Sequence, residues 1–438
     1  MLRQQRIGPG KIGFEFAKAD SIDQGRQRDQ PERALRVAAL ATHPIQYQAP
    51  LWRGLALRPD LKLHVFFGSD MSVRGYQDDG FGVKVQWDVP LLAGYEHTFL
   101  SRDPALQRIS FWQPQARGLR RHLSNFSPDV VLLTAYNSMF WIGALLQARS
   151  LGLPVVLRHE ASDAAASRSP RKAFVRDLML RGFYSQIARF AAIGTEARKH
   201  LGRLGIPADR IGWAPYCVDS AQIEAQVRQW QPQRDELRPK LGIGTGECTF
   251  LFSGKLIPKK QPLLIFDAIA DLPSERKQRI HLIVMGDGEL RAQVERRGRE
   301  VLGTRFHAVG FVNQSEMGRW YAAADCLVLP SQKGAGETWG LVVNEAMQFG
   351  LPAVVSDGVG CHPDLVGPAT GRVFRSDSVD DFCRALTETL DNLLRDRAAT
   401  AAACRERVRS FSLGSAGNGL AEALHQAGPA RCNIGSHV

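Results

Sequence analysis

The chain lacks the features that mark zinc-finger proteins and exported proteins. It has seven cysteines among 438 residues, and no two of them stand in a Cys-x-x-Cys pair. An odd number of thiols, several of them in apolar strand-like segments, is typical of a reducing compartment. Residues 1–34 are polar and charged, without the apolar core of a secretory signal. We therefore expect a cytoplasmic protein with a disordered tail over 1–34.

Long apolar runs are also missing. Residues 130–146 come nearest to one, but Asn137 and Ser138 interrupt the run. A membrane-spanning helix needs about 20 apolar residues in succession. The segment is better explained as a strand, a turn and an amphipathic helix.

Positive charge is in excess. The sequence has 56 lysines and arginines against 44 acidic residues, which gives a formal net charge of +12. This surplus favours an anionic partner, and nucleotide sugars, acidic lipid headgroups and nucleic acid all qualify. The sequence has no zinc-finger spacing, no aromatic RNA-binding motif and no long basic block. We therefore expect no nucleic-acid partner, and an anionic donor or a membrane surface instead.

Short apolar or β-branched runs recur along the chain, with helical patterns between most of them. They cover 35–41, 61–67, 129–134, 154–158, 190–194 and 211–215 in the first half, and 248–253, 281–286, 306–310, 326–329 and 352–356 in the second. Such alternation is typical of parallel sheets built from βαβ units. The sequence therefore predicts an α/β protein with two Rossmann-like domains facing each other across a cleft.

A polar stretch rich in proline and alternating charge, 229–246, indicates where the two halves join. We expect an N-terminal domain over 35–230, a linker over 231–246 and a C-terminal domain over 247–400. Helical patterns continue beyond it over 401–427.

Two carboxylates eight residues apart, Glu337 and Glu345, bracket a loop that leads into a helix. Gly340 lets the backbone approach a bound group, and the helix that begins there directs free N–H groups and a positive dipole end outward. A diphosphate can bind at such a helix start. Glu345, more than a turn inside the helix, is suited to accept hydrogen bonds from ribose hydroxyls. Glu337 is free to reach hydroxyls on the opposite side of the phosphates.

A second cluster follows the apolar run 248–253, where Gly254, Lys255 and Lys260 lie at a strand-to-helix turn. The carboxyl edge of a parallel sheet is where α/β proteins bind ligands, and two lysines make it a positive pocket. Each charged contact to a diphosphate would contribute about 1.5 to 3 kcal/mol. The alternative is that Lys259 and Lys260 form an exposed basic turn.

These two segments resemble glycosyltransferase family 4, a retaining family with the GT-B fold that uses nucleoside diphosphate sugars. The stretch 337–352 resembles its E-x7-E signature, and 252–262 resembles its G-R-L-x-x-x-K-G element, with Lys255 in place of arginine and Gln261 in place of glycine. Lysine binds phosphate as a point charge, without the bidentate fork of arginine.

The resemblance implies roles for the matched residues. It implies Glu337 at the donor sugar, Glu345 at the ribose, and backbone amides near Leu341 and Val342 at the diphosphate. It implies no cofactor and no metal, because cations of the protein neutralise the diphosphate. The helices over 401–427 are implied to return toward the first domain, which would bind the acceptor.

Two further residues are assigned by the same resemblance. Phe311 follows a strand in the element that lies beside the nucleotide base, with a place in the core as the alternative. His159 matches a strand-end histidine near the transferred sugar, with a structural role as the alternative. The basic stretch 168–189 is compatible with a helix on an anionic bilayer, or with an amphipathic helix whose polar face is solvated.

The predicted function is transfer of a sugar, with retained anomeric configuration, from a nucleoside diphosphate donor to a hydroxyl acceptor in polysaccharide, glycolipid or other glycoconjugate synthesis. UDP is the favoured nucleotide, and the catalytic candidates are Glu337, His159, Lys255 and Lys260. A lipid-linked acceptor and peripheral contact with an anionic membrane are open alternatives. A GT-B sugar-nucleotide epimerase and a nonenzymatic partner in glycan assembly are the alternative functions.

Overall fold

Two parallel β-sheets, one in each half of the chain, dominate the computed structural model, which describes residues 33–78, 80–165 and 168–428. The tail predicted over 1–34 lies outside the described residues, except for Arg33 and Ala34. The α/β class and the two parallel sheets predicted from the sequence are confirmed.

The first half of the chain contains β1 (Leu35–Ala41), β2 (Leu61–Phe67), β3 (Tyr76–Asp78), β4 (Val83–Val85), β5 (Glu96–Phe99), β6 (Val130–Leu133), β7 (Val155–His159), β8 (Arg189–Ala192) and β9 (Ile211–Trp213). Among the described residues, seven of these strands form one sheet in the order β5-β2-β1-β6-β7-β8-β9, with parallel neighbours throughout. The remaining two, β3 and β4, form a separate antiparallel hairpin.

The second half contains β10 (Cys248–Ser253), β11 (Ile280–Met285), β12 (Phe306–Gly310), β13 (Cys326–Leu329), β14 (Ala353–Ser356) and β15 (Gly371–Phe374). They form a parallel sheet in the order β12-β11-β10-β13-β14-β15. The strands in the middle of this sheet are buried along their whole length. Helices cover both faces of such sheets, which explains why these strands are continuous apolar runs.

The helices are α1 (Ala49–Ala56), α2 (Met71–Arg74), α3 (Leu119–Phe126), α4 (Met139–Ser150), α5 (Pro170–Tyr184), α6 (Thr195–Arg203), α7 (Ser220–Trp230), α8 (Arg234–Lys240), α9 (Pro262–Ala270), α10 (Ser274–Lys277), α11 (Arg291–Leu302), α12 (Gly318–Ala323), α13 (Leu341–Gln348), α14 (His362–Leu365), α15 (Val379–Arg409) and α16 (Leu413–Ala427). None of the helices in the described part of the chain is both long enough and apolar enough to span a bilayer. The segment 130–146 forms β6, a turn and the start of α4, as predicted.

The strands that the sequence predicted agree with the structure to within two residues at each end. The sequence analysis missed β5 and β15, which are polar strands at the sheet edges, and the hairpin of β3 and β4, whose strands have three residues each. Short or edge strands bury too little apolar surface to leave a clear pattern.

The last two helices connect the halves. Helix α15 packs against the second sheet, and its backbone breaks at Asp396. Helix α16 then packs against α1 and against β8 and β9 of the first sheet, and its Leu420 and Leu424 are fully buried. A Cβ atom at Gly419 would clash with Trp213 O, so the helix approaches β9 closely.

The stretch predicted as a linker, 231–246, is a 3-10 turn followed by α8, and two of its arginines anchor it to the second sheet. Arg234 and Arg238 both bind the carboxylate of Asp325, whose side chain is fully buried before β13. Arg397 of α15 binds the same carboxylate. Burial lowers the pKa of Arg234 to about 10, with repulsion from Arg238 adding to the effect. One buried carboxylate therefore neutralises part of a cluster of three guanidinium groups.

We predict that Asp325→Asn lowers the free energy of unfolding by about 3 to 5 kcal/mol, because it leaves buried guanidinium groups without a counter-charge. Asp267→Asn is the matched control, since Asp267 pairs with Arg297 at the surface and the pair should contribute at most about 1 kcal/mol. Urea unfolding of both variants measures the difference. Equal losses of unfolding free energy in the two variants would show that the cluster of guanidinium groups needs no carboxylate.

Candidate active site

Helix α13 begins at the carboxyl edge of the second sheet, and a glycine sets its start. Gly340 precedes the helix with a φ of +100°, which side chains rarely allow. A Cβ atom there would lie 2.9 Å from Val359 Cγ1 and 3.0 Å from Leu329 Cδ2. No side chain in the described part of the chain caps this helix. The N–H groups of Leu341 and Val342 therefore have no acceptor within the helix and can bind an anion.

Lys260 and Glu337 form an ion pair at the same sheet edge. Lys260 ends a 3-10 turn after β10, and Glu337 lies in the loop between β13 and α13. Lys260 Nζ contacts Glu337 Oε2, which also accepts a hydrogen bond of 3.1 Å from Ser331 Oγ. Both charged side chains are only 16% exposed. Neighbouring strands of one sheet thus bring together groups that are 77 residues apart in sequence.

This pair lies next to the Gly340 turn. Cys361 Sγ is 4.0 Å from Gly340 O, and the charges of Glu337 and Lys260 both act on this thiol. Burial raises the pKa of the Cys361 thiol well above its usual range, and the negative charge of Glu337 raises it further. The structure therefore brings Lys260, Glu337 and the start of α13 into one site.

Gly254 lies where β10 and β11 end side by side. Its N–H donates a hydrogen bond of 3.0 Å to Met285 O. A Cβ atom at Gly286 would clash with the carbonyl of Gly254. The two loops after these strands are therefore packed tightly, which places Lys255 and Lys260 at a fixed edge of the sheet.

Lys255 lies against the hairpin of β3 and β4. Its Nζ lies 2.7 and 3.0 Å from the two carboxylate oxygens of Asp78, and 4.9 Å from the centre of the Phe81 ring. The sequence analysis expected both ammonium groups to face a diphosphate. That assignment stays a prediction; in the structure Asp78, in a hairpin that the analysis missed, neutralises Lys255.

Phe311 contacts the same hairpin. Its ring lies 5.1 Å from that of Phe81 and 6.5 Å from that of Trp87, measured between ring centres. Nearby, Asn313 Nδ2 donates a hydrogen bond of 2.9 Å to Gln86 O. The hairpin therefore reaches from the first half of the chain to the second, and Phe311 lies in an aromatic cluster between them.

Glu345 lines a cavity of about 220 Å³ between the two halves. Leu341 and Val342 line it from α13, and Gln46 and Tyr47 line it from the loop after β1. Glu345 Oε2 accepts a hydrogen bond of 2.8 Å from the buried hydroxyl of Tyr321. Burial raises the pKa of Glu345 to about 7. The structure thus places three residues that the sequence analysis predicted to bind the donor around one cavity between the halves, which we call the cleft cavity.

His159 lies in the core of the first half. Its side chain is fully buried, and its Nε2 is 2.7 Å from the hydroxyl of Tyr184. The ring stacks between Tyr136 and His200, at 5.9 and 5.3 Å between ring centres. Burial, followed by repulsion from His200, lowers the pKa of His159 well below its usual range. This position fits the structural alternative, and other described residues line the cavities of the cleft.

A second cavity of about 380 Å³ opens at the carboxyl edge of the first sheet, and Tyr47 lines both cavities. Glu160, directly after β7, also lines the second cavity and accepts a hydrogen bond of 3.0 Å from the hydroxyl of Tyr216. We call it the first-sheet cavity. The sequence analysis assigned neither Tyr47 nor Glu160, although Glu160 directly follows β7 and Tyr47 lies in the loop after β1, at the sheet edge where α/β proteins bind ligands.

Hydrogen bonds hold the two halves together beside the cleft. Thr195 N and Oγ1 donate to the two oxygens of the Asp364 carboxylate, at 2.9 and 2.6 Å. Asn344 accepts a hydrogen bond of 2.8 Å from the Trp339 indole and donates one of 3.3 Å to Tyr216 O. The helix that carries Glu345 is therefore tied directly to the first half.

Two known families match consecutive parts of the chain. The family described as Glycosyltransferase Family 4 matches residues 82–222. The family described as Glycosyl transferases group 1 matches residues 233–409. The first match covers most strands of the first sheet, and the second match covers the strands of the second sheet.

Curated relatives and solved structures agree with these matches. A GDP-mannose-dependent alpha-mannosyltransferase of Mycolicibacterium smegmatis is 30% identical over 303 residues, which cover 65% of this chain and 70% of the relative. A D-inositol 3-phosphate glycosyltransferase of Nocardioides is 29% identical over 219 residues, 45% of this chain and 47% of the relative.

Among solved structures, Anabaena Alr3699/HepE in complex with UDP-glucose superposes with a TM-score of 0.63 over 90% of this chain and 100% of that one, at 15% identity. At that identity the likeness concerns the fold. Two matched families, a relative at 30% identity and the paired parallel sheets lead to one conclusion: the chain belongs to glycosyltransferase family 4 and has the GT-B fold.

Proposed function

We propose that this glycosyltransferase moves a hexose from a nucleoside diphosphate donor to a hydroxyl acceptor with retention of the anomeric configuration. The observation that carries the proposal is the Lys260–Glu337 ion pair beside the uncapped start of α13. A half-buried cation and free backbone N–H groups suit a diphosphate, and a carboxylate next to them suits sugar hydroxyls.

The proposed reaction breaks the bond between the anomeric carbon and the diphosphate oxygen, and it forms a bond from that carbon to the acceptor oxygen on the same face. Negative charge develops on the leaving diphosphate, which takes the proton of the acceptor hydroxyl. Lys260 and the start of α13 stabilise this charge, because they are in place before the reaction begins. Lys255 can supply a second positive charge once it leaves Asp78. These protein cations make a metal unnecessary in the proposal.

The donor nucleotide is proposed from the relatives rather than from the sequence pattern. The mannosyltransferase relative uses GDP-mannose by its name, at 30% identity, whereas the structures that hold UDP are about half as similar in sequence, at 15% identity. We therefore propose GDP-mannose as the first donor to test, in place of the UDP-sugar that the sequence analysis favoured. Transfer of mannose from GDP-mannose to an acceptor, with no epimerised nucleotide sugar among the products, would exclude the epimerase alternative.

We also propose that α5 binds an anionic membrane. Its outer face carries four large apolar side chains, Phe174, Val175, Leu178 and Met179, each between 56 and 71% exposed. At 100° per residue these positions form one stripe along the helix. The exposed cations Lys172 and Arg181 lie on opposite sides of it. An apolar stripe between cations is typical of helices that lie in the interface of an anionic bilayer.

The inner face of α5 contacts a residue that lies next to the first-sheet cavity. Arg176 Nη2 donates a hydrogen bond of 3.2 Å to the hydroxyl of Tyr136. Asn137, which follows Tyr136 in the sequence, lines the first-sheet cavity. A membrane under α5 would therefore lie close to this cavity, which supports a lipid-linked acceptor.

We predict opposite effects for the two members of the ion pair. Lys260→Ala should weaken binding of GDP by about 1.5 to 3 kcal/mol and leave binding of guanosine unchanged, because only the diphosphate contacts the cation. Glu337→Ala should retain GDP binding but lose sugar transfer, because the carboxylate holds the sugar. Isothermal titration calorimetry and a transfer assay measure the two effects.

Lys259→Ala is the matched control, because Lys259 is the exposed neighbour of Lys260 in the same turn. It should leave GDP binding unchanged. Equal losses of GDP and guanosine binding in Lys260→Ala would deny Lys260 a phosphate contact. Full transfer activity in Glu337→Ala would remove Glu337 from the mechanism.

The raised pKa of Glu345 predicts a pH-dependent stability. Because burial favours the protonated form in the folded state, the stabilising contribution of Glu345 is complete below its unfolded pKa and is lost as pH rises through about 7. Between about pH 5 and about pH 8, the wild type should lose about 2 kcal/mol more unfolding free energy than Glu345→Gln. Gln keeps an acceptor for Tyr321 but does not ionise. Parallel pH curves for the two proteins would contradict the prediction.

Membrane binding is tested by vesicle flotation. Phe174→Gln with Leu178→Gln should lower binding to vesicles that contain phosphatidylglycerol by at least about tenfold, because two exposed apolar side chains that would enter the bilayer are lost. Leu57→Gln with Leu146→Gln is the control, since both leucines are highly exposed elsewhere. Wild-type protein that does not float, or equal losses in both double variants, would exclude α5 as the membrane site.

A further inference from the structure

A cavity of about 670 Å³ opens at the amino edge of the second sheet, opposite the edge that carries the candidate active site. Cys248 and Ile280, the first residues of β10 and β11, line it. Strand β10 has six residues, so roughly 17 Å separate the two edges of the sheet. This cavity, which we call the amino-edge cavity, shares no lining residue with the cleft cavity or the first-sheet cavity.

Both connections between the two halves contribute to its walls. Helix α8, which directly follows the passage from the first half to the second, contributes Arg234 and Arg238. Helix α15, which leads back to the first half through α16, contributes Leu393 and Arg397. A molecule in the amino-edge cavity would therefore contact both connections at once.

Positive charge is in excess on one side of the cavity. Arg234, Arg238 and Arg397 all line it, and all three bind the single carboxylate of Asp325. Burial lowers the pKa of Arg397, and repulsion from Arg234 lowers it further. Three guanidinium groups thus share one counter-charge, and an anion that entered the cavity would relieve their repulsion.

Acidic residues line the cavity as well. They are Asp235, Glu247, Glu275 and Asp391. Asp391 Oδ1 accepts a hydrogen bond of 2.7 Å from Arg276 Nη1, and Glu247 Oε2 lies 3.0 Å from His281 Nε2. The other two are exposed, so water and salt screen their charges. The acidic residues therefore do not cancel the excess of positive charge around Asp325.

The cavity also has an apolar wall. Ile243, Leu390, Leu393 and Leu394 line it, and Leu394 is 67% exposed. An exposed leucine beside a cluster of arginines suits a molecule that carries both an apolar surface and a negative charge. Guanidinium groups bind phosphate with two parallel hydrogen bonds and also stack on planar rings. The volume lies within the range for small-molecule sites.

We infer that the amino-edge cavity binds an organic phosphate that carries a planar ring, as a nucleotide does, and that the bound molecule stabilises the connections between the two halves. Arg397 binds the phosphate, and Arg279, which lines the cavity directly before β11, adds a second positive charge. The leucines of α15 pack against the ring. The inference does not depend on the proposed function, because Lys260 lies at the opposite edge of the sheet.

Calorimetric titration of the full-length protein, with saturating GDP to occupy the donor site, tests the inference. The probes are AMP, GMP, glucose 6-phosphate and inorganic phosphate. We expect one molecule of AMP or GMP to bind per chain, at least about tenfold more tightly than glucose 6-phosphate or inorganic phosphate, because the base covers the apolar wall. Bound nucleotide should also raise the Tm. Equal affinity for all four probes, or no binding of either nucleotide at about 1 mM, would overturn the inference.

Variants locate the bound nucleotide. Arg397→Gln and Arg279→Gln should each weaken its binding at least about tenfold, because each removes a positive charge from the cavity. Arg279 is not among the three arginines that bind Asp325, so its variant keeps the test valid if Arg397→Gln does not fold.

The matched control is Arg395→Gln, since Arg395 is an exposed arginine of α15 outside the lining of the cavity. It should leave nucleotide binding unchanged, and Lys260→Ala should do the same. Loss of nucleotide binding in Lys260→Ala, with full binding in Arg397→Gln and Arg279→Gln, would assign the nucleotide to the donor site and overturn the inference.

Discussion

The chemistry proposed for this protein depends on a cation that an ion pair holds in place. Lys260 is partly buried at the carboxyl edge of the second sheet, and a lone ammonium group there would be costly to desolvate. Glu337 neutralises it, and Ser331 orients Glu337. In the proposed exchange, the diphosphate takes over the counter-charge and Glu337 becomes available for sugar hydroxyls. The same interaction therefore stabilises the empty site and prepares the occupied one.

Lys255, which follows the same strand as Lys260, is also neutralised by a carboxylate. Asp78 neutralises it, and Phe81 and Phe311 pack beside the pair. Because Asp78 and Lys255 belong to different halves of the chain, this ion pair also links the hairpin to the second half. In the proposed mechanism, a diphosphate that recruits Lys255 has to displace Asp78.

Two cavities lie side by side in the cleft and share Tyr47. Leu341 at the start of α13 and the acidic residues Asp219 and Glu345 line the cleft cavity, and Glu160 lines the first-sheet cavity. No lysine or arginine lines either cavity among the described residues. The contacts of Thr195 with Asp364 and the return of α16 to the first sheet hold the cavities in this relation.

The sequence by itself determined the fold class, the central strands and the cluster around Glu337, Gly340 and Lys260. Fully buried parallel strands have to be apolar, and glycine with charged residues at strand ends indicates a binding site. Both patterns can therefore be recognised in a short stretch of sequence. Only the tertiary structure decided that Lys255 pairs with Asp78, that His159 is packed in the core, and that Gln48 and Ser138 share a cavity with Glu160. These contacts join residues that are far apart in sequence. Which residues are buried, and which side chains come within contact distance, depends on how the helices and strands pack, and a local sequence pattern does not contain that information.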